Sequence, residues 1–172
     1  MESHRRGDLT EQIVITELKR RSISVSTPVG DNERYDLVIE QPDGELLRTQ
    51  IKTGWLTDRT IRFKGVSQHT NSSGHVYEQY GSDVDCFIVY CYDTERIYLI
   101  PGEEVGTSME LRVDSPVQET TQINWAEEYL FDTQWPLDDG NVDTAVSVAI
   151  DALQREGVSV FTDHENLRLE LY

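Results

Sequence analysis

Lysine is nearly absent from this chain. Only Lys19, Lys52 and Lys64 occur, and the other 12 basic residues are arginines. The two cysteines, Cys86 and Cys91, share one apolar segment. Their spacing excludes a CxxC redox pair and a zinc-ligand pattern, which leaves buried free thiols. No stretch approaches the roughly 18 apolar residues needed to cross a bilayer, so no membrane partner is expected. No apolar run follows the opening Met1-Glu2-Ser3-His4-Arg5-Arg6. A secretory signal is therefore not expected, and a cytoplasmic location follows by default.

Acid is what the chain has in excess. Its formal charge is -17 over 172 residues, with a mean hydropathy of -0.51. Such an acid-rich, lysine-poor composition resembles a halophilic archaeal proteome. Clustered carboxylates keep a surface hydrated where salt screens charge within roughly 3 Å at 1 M. Phosphates repel an acidic chain, so the total argues against a nucleic-acid partner. The distribution argues otherwise. Residues 1–64 carry 11 basic and 11 acidic side chains, whereas residues 65–172 carry 4 basic and 21 acidic. Any nucleic-acid face belongs to the neutral N-terminal third.

Hydrophobic periodicity predicts a helix over 9–21, with Asp8 as N-cap and Lys19-Arg20-Arg21 complementing its C-terminal dipole. Alternation predicts strands at 22–26, 35–40 and 45–53, the last two joined at Gln41-Pro42-Asp43-Gly44 by an Asp-Gly turn. A short strand is expected at 61–64. Residues 65–83 are polar, with a mobile loop expected at Asn71-Ser72-Ser73-Gly74. Buried strands follow at 84–92 and 96–100, then a helical turn at 101–105, a weak strand at 111–113 and a helix over 124–130. A linker at 137–141, a helix over 142–155 and strand-like segments at 158–161 and 167–171 complete the chain. Helix, then sheet, then helix implies an α/β domain. The expected division is 1–136 for the main domain and 137–172 for an acidic C-terminal helix–strand extension.

The chemistry-bearing residues sit on the predicted hairpin. Asp36 opens one strand; Gln50 and Lys52 lie on the next and share a face, while Ile51 points into the core. A carboxylate, an amide and a lysine converging on one point suit phosphodiester hydrolysis. A carboxylate-held Mg2+ lowers the pKa of bound water and neutralises phosphate charge. Asp36 is the main expected ligand, helped by the Gln50 side-chain oxygen and the Ile51 carbonyl. Lys52 is expected to orient the water or stabilise the transition state as a point charge.

Gly7-Asp8-Leu9-Thr10-Glu11, Arg34-Tyr35-Asp36-Leu37-Val38-Ile39 and Gln50-Ile51-Lys52-Thr53-Gly54 together resemble the PD-(D/E)xK nucleases. The closest likeness is to archaeal Holliday junction resolvase-like and homing-endonuclease-like branches with a Q-x-K motif. Asp83-Val84-Asp85-Cys86-Phe87 and Ala126-Glu127-Glu128-Tyr129 extend the resemblance to about residue 131. It implies a restriction-endonuclease-like core, α-β-β-β-α-β, with a central mixed sheet flanked by helices and a small C-terminal α/β extension. It also implies Glu11 as a further metal ligand, Mg2+ as cofactor with Mn2+ as substitute, DNA as partner, and a homodimer or higher homo-oligomer. Gln50 departs from the pattern, because an amide replaces the second acid. Two functions therefore stay open: a metal-dependent DNA endonuclease, and a catalytically inactive nuclease-fold module that binds DNA or a protein.

Among the remaining polar residues, Asp85 reads as a structural hydrogen-bond acceptor. Arg59, Arg62, Ser72 and Ser73 are candidates for phosphate contacts or a solvated loop. His69 and His75 read as surface residues.

Overall fold

A computed structural model describes residues 3–30, 32–71, 74–114, 123–137, 158–163 and 166–171. It opens with α1 (Ser3–Arg20), followed by β1 (Val25–Ser26), β2 (Leu37–Glu40) and the twelve-residue β3 (Leu46–Thr57). Next come β4 (Thr60–Lys64), a hairpin of β5 (Val66–Asn71) and β6 (Gly74–Gln79), and a 3-10 turn at Gly81–Asp83. Then come β7 (Cys86–Cys91), β8 (Arg96–Pro101), a 3-10 turn at Gly102–Glu104, β9 (Ser108–Arg112) and the four-residue α2 (Phe131–Gln134). β10 (Val158–Asp163) and β11 (Asn166–Leu171) pair with each other as an antiparallel hairpin.

β3 organises the sheet. Its first residues pair antiparallel with β2, Leu46 against Glu40 through Thr49 against Leu37. Its middle, Thr49 to Gly54, pairs parallel with β7. Its end, Trp55 to Thr57, pairs antiparallel with β4, which carries β9 on its far side. β8 extends the sheet beyond β7. The result is the expected mixed sheet of an α/β fold. Parallel strands need a long crossover, most often a helix. Among the described residues the path from β3 to β7 instead runs through β4, the β5–β6 hairpin and a 3-10 turn.

The two faces of the sheet bury different partners. Thr10, Val14 and Leu18 recur at intervals of four and are all buried, which makes them one stripe of α1. This stripe packs against Leu37, Ile39, Ile51, Ile88, Ile97 and Leu99. Phe87, Val89 and Cys91 point the other way, into a second core with Ile61, Phe63, Leu111, Ala126 and Tyr129. β7 is therefore covered on both faces, and its near-continuous apolar run, Cys86-Phe87-Ile88-Val89-Tyr90-Cys91, follows from that. Both cysteines are buried free thiols, as expected, and burial pushes Cys86 up to about 12.

Several local expectations need correction. α1 starts at Ser3, so Asp8 lies inside the helix and is not its N-cap. The cause is tertiary: the early turns carry Arg6 and Thr10, which pack on Trp55, Tyr92 and Thr53. The strand expected at 22–26 shrinks to two residues. Ser22 takes a positive φ of 61° directly after the helix. Within the polar segment 65–83, where no strand is expected, β5 and β6 form a hairpin that the buried Tyr80 follows. Residues 124–130 form turns between two bridges, Trp125 with Arg112 and Leu130 with Tyr98, rather than a helix. Their backbone bonds across to the sheet: Ala126 N–H donates to the Arg112 carbonyl (2.8 Å), and the Asn124 and Tyr129 carbonyls accept from the N–H groups of Arg112 (2.8 Å) and Leu99 (2.9 Å). The helix expected over 142–155 and most of the 137–141 linker lie outside the described residues. The Asp-Gly turn is present, with Gly44 at φ 93°.

Asp85 is structural. Its carboxylate accepts from the Arg48 backbone N–H (2.7 Å) and from the guanidinium (2.8 and 3.0 Å). Burial pushes its pKa up, but the Arg48 contacts more than offset this and hold it below its ordinary value. A carboxylate with a depressed folded pKa contributes stability above its unfolded value of about 4, and that contribution is lost as pH falls through the folded pKa. Denaturation of the parent and of Asp85→Asn should therefore differ at pH 6, and the gap should close below about pH 4. A gap independent of pH would contradict this.

Gly54 marks where β3 passes from β7 to β4. A Cβ there would lie 2.7 Å from Ile61 Cγ2 and 2.9 Å from Val89 Cγ1. Gly54→Ala should lower stability by about 1–3 kcal/mol, the usual range for overpacking, as read by urea denaturation.

Candidate active site

Between the end of the β2 pairing at Thr49 and the start of the β4 pairing at Trp55, β3 is paired with β7 alone among the described strands. Asp36 stands at this break. Its backbone N–H donates to the Thr49 carbonyl (2.9 Å), one step beyond the last β2 pair. Its carboxylate then takes the place of the next strand residue: Oδ2 accepts the Ile51 backbone N–H (2.7 Å). The N–H and carbonyl of one strand residue point to the same side, so the Ile51 carbonyl faces the Asp36 edge as well. The Gln50 side-chain nitrogen donates to the same Oδ2.

Strand alternation separates the neighbours of Ile51 from Ile51 itself. Ile51 packs under α1, whereas Gln50 and Lys52 sit on the face of their β7 partners, Phe87 and Val89. Lys52 Nζ donates to the Tyr80 hydroxyl (2.7 Å) and lies 4.6 Å from the Tyr80 ring centroid. Tyr80 is only 6% exposed and packs edge-on against Phe87. Arg34 lies 5.3 Å from the same ring and is tied to the chain on both sides of it. Its guanidinium pairs with Glu78 (2.6 Å) and Asp83 (2.8 Å) and donates to the Gln79 carbonyl (2.8 Å). One tyrosine is thus held by an arginine and in turn holds the lysine.

The charges at the site are poorly solvated. Burial raises the Asp36 carboxyl above its ordinary range, and the Ile51 N–H, Lys52 and Gln50 only partly oppose this. Burial also raises Glu11, followed by repulsion from Asp36 and then from Asp8. Lys52 is lowered to about 8, because burial outweighs the attraction of Asp36. Tyr80 is pushed up to about 12, by burial first and by Asp36 second, so it is a neutral hydroxyl at ordinary pH. Glu11 and Asp36 therefore sense each other across the edge of β3, one from α1 and one from the residue before β2.

The donor set is rich in oxygen: two carboxylates, an amide oxygen and a backbone carbonyl. Among the described residues no group of three or more His, Cys, Asp or Glu is placed to hold a metal. The two acids alone would not make such a group, and the amide and carbonyl would have to supply the rest. Two carboxylates with raised pKa in a partly buried edge fit a hard divalent cation, which would relieve their repulsion.

The family described as PD-(D/E)XK endonuclease matches residues 1–132 of this sequence. The chain belongs to the PD-(D/E)XK endonuclease family. Its fold is similar to a solved bacterial homing endonuclease, at a TM-score of 0.63 and 22% identity. That match covers 90% of this chain and 99% of the other. No curated relative matches the sequence.

Within this PD-(D/E)XK endonuclease the structure gathers Asp36, Gln50, the Ile51 backbone and Lys52 at the break in β3, with Glu11 nearby on α1. The Gln50 amide presents its nitrogen to Asp36, since an ionised carboxylate only accepts. An acid at position 50 would instead add a third negative charge to a desolvated pair. Tyr80 and Arg34 are the residues that sequence reasoning missed. The one signal was an aromatic residue at the end of a polar stretch. Arg59 and Arg62 pair with Asp114 (3.4 Å) and Glu110 (3.0 Å). The side chains of Ser72, Ser73, His69 and His75 lie outside the described residues.

With only three lysines, side-chain 13C NMR can follow Lys52 directly. It should titrate near 8, well under the ordinary lysine value. In Asp36→Asn its pKa should fall further, because removing the anion removes the attraction that favours the ammonium form. A Lys52 titration near 10.5 would contradict the geometry.

Proposed function

We propose that this PD-(D/E)XK endonuclease is a divalent-metal-dependent DNA endonuclease that hydrolyses phosphodiester bonds at the break in β3. The observation that supports this most is the convergence of Asp36 and Lys52 there, with Glu11 facing from α1. Asp36 and Glu11 would hold Mg2+, with Mn2+ as a substitute, and the Gln50 side-chain oxygen and Ile51 carbonyl would complete the protein ligands. When bound, the metal supplies a water of lowered pKa and neutralises phosphate charge.

The remaining work falls to the chain's own groups. The Ile51 N–H and the Gln50 amide both bond Oδ2 and fix the rotation of the Asp36 carboxyl, so that Oδ1 would be the oxygen offered to the metal. The Gln50 amide fills the space that a second acid would occupy and holds Asp36 without adding charge. Lys52, kept in place by the Tyr80 hydroxyl, presents a positive charge to the phosphoryl oxygens. Its lowered pKa also lets it hold or release a proton near neutral pH, where a water must be deprotonated or a leaving oxygen protonated. Residues from 137 onward are proposed as a separate acidic extension. Duplex scission by one site per chain is proposed to require two copies, either in a homodimer or a higher homo-oligomer.

The donor orientation of Gln50 favours a second reading, a nuclease-fold module that binds DNA without cutting it. One set of measurements separates the two. Branched, duplex and single-stranded DNA are incubated with the chain, with and without Mg2+. Cleavage should require the metal and should drop by at least about 100-fold in Asp36→Ala and in Lys52→Ala. Calorimetric titration should show Mg2+ or Mn2+ binding that Asp36→Ala abolishes. DNA binding with neither metal binding nor cleavage would select the second reading.

A further inference from the structure

Arg6 differs from six other arginines of the N-terminal third. Arg20, Arg21, Arg34, Arg48, Arg59 and Arg62 each meet a carboxylate, at 2.6–3.4 Å. No hydrogen bond or ion pair among the described residues involves the Arg6 guanidinium, and its Nε is buried without a partner. Two aromatic rings hold it instead: the guanidinium carbon lies 4.2 Å from the Trp55 centroid and 4.8 Å from that of Tyr92.

The cage is built into the fold. Thr10 Oγ1 donates to the Arg6 carbonyl (2.8 Å) and shares hydrogen bonds with Thr53 Oγ1 (2.8 Å) and the Tyr92 hydroxyl (3.2 Å). Tyr90 supports Tyr92 edge-on at 4.8 Å. This ties the second turn of α1 to the end of β3. Trp55 remains 46% exposed, an unusual allowance for an indole with a core beside it.

Rings that cover the face of a guanidinium leave its N–H edge as the binding surface, and that edge matches two oxygens of one phosphate. In a chain of net charge -17, a cation that meets no counter-ion among the described residues is suited to an anion from outside. Trp55 lies four residues beyond Ile51 on β3, or about 13 Å at ~3.3 Å per strand residue. It is on the same strand as the candidate site and beside the same helix as Glu11.

We propose that Arg6, caged by Trp55 and Tyr92, is a phosphate-binding residue that grips the nucleic-acid backbone next to the site at which it is cut. The inference rests on the nucleic-acid reading above and adds the residue that seats the substrate strand. The ligand is a phosphodiester, and the contact carries no base information.

The test is fluorescence anisotropy of a labelled DNA duplex with the full chain, in EDTA so that nothing is cut, across a series of salt concentrations. Arg6→Met keeps an apolar side chain on the rings and removes the charge. It should weaken binding by about 10-fold and reduce the slope of log affinity against log salt by ~0.9, the value for one lost phosphate contact. Arg6→Lys should keep the slope and bind a few-fold more weakly than the parent, because it keeps the charge but not the planar fork. If Arg6→Met does not fold, as judged by circular dichroism, the Lys variant decides: affinity equal to the parent overturns the proposal. A parent that binds while Arg6→Met keeps its affinity and slope also overturns it, and leaves the nuclease reading intact. A parent that binds no DNA overturns both. Inorganic phosphate is the second probe: if it binds at Arg6 without being displaced by duplex DNA, the site takes a free anion and the backbone assignment fails.

Discussion

The Asp36 carboxylate stands where a strand residue would otherwise stand. β2 stops at its pairing with Thr49, and the next inward-facing N–H of β3, that of Ile51, donates to a side chain instead of a backbone carbonyl (2.7 Å). A buried backbone donor needs a partner, so the break in the sheet and the placement of the carboxylate are one feature. With the Gln50 amide, that bond sets the rotation of Asp36. It keeps a charge at a sheet edge despite burial, and it lets Gln50 and Lys52 share a small volume with it.

The strand itself is the second constraint. β3 has three neighbours in succession, β2, β7 and β4, and the change from one to the next at Gly54 depends on the absence of a side chain. Alternation along it sends Ile51 into the core under α1 and sends Gln50 and Lys52 to the opposite face. α1 then brings Glu11 to the carboxylate edge from the side of the Ile51 core. Tyr80 closes the other side, fixed between Arg34 and Lys52. The site is built from one strand edge and is reached from both faces of the sheet.

Charge is distributed with the same economy. Most arginines of the neutral N-terminal third are spent on carboxylates of the chain's own surface, among them Asp132, Glu78, Asp83, Asp85 and Glu110. Basic residues in a sequence are therefore a poor guide to a phosphate-facing surface. The informative ones are those with no acid beside them. Arg59 and Arg62, candidates by composition, are paired, and Arg6 is held by aromatic rings instead.

Much of the fold was legible because it is local. The helical period that includes Val14 and Leu18, the alternation around Ile51, the Asp43-Gly44 turn and the apolar run of β7 all report backbone geometry within a few residues. The strand that carries Gln50 and Lys52 follows from the same signals, whereas Glu11 entered through the family resemblance. What failed in the sequence was decided at long range. The start of α1 depends on Trp55 and Tyr92, the turns at 124–130 depend on hydrogen bonds with the backbones of β8 and β9, and the hairpin in 65–83 carries no strong strand signal. Tyr80 and Arg34 could not be read as partners of Lys52, because 28 residues separate the tyrosine from the lysine and only the parallel crossover brings them together. The sequence alone determined which residues could do chemistry and which faces they occupy, since side-chain alternation is a property of the strand. The tertiary structure alone decided which of them are desolvated, which are neutralised by a neighbour and which remain open to a substrate, since burial and pairing depend on what the rest of the chain packs beside them.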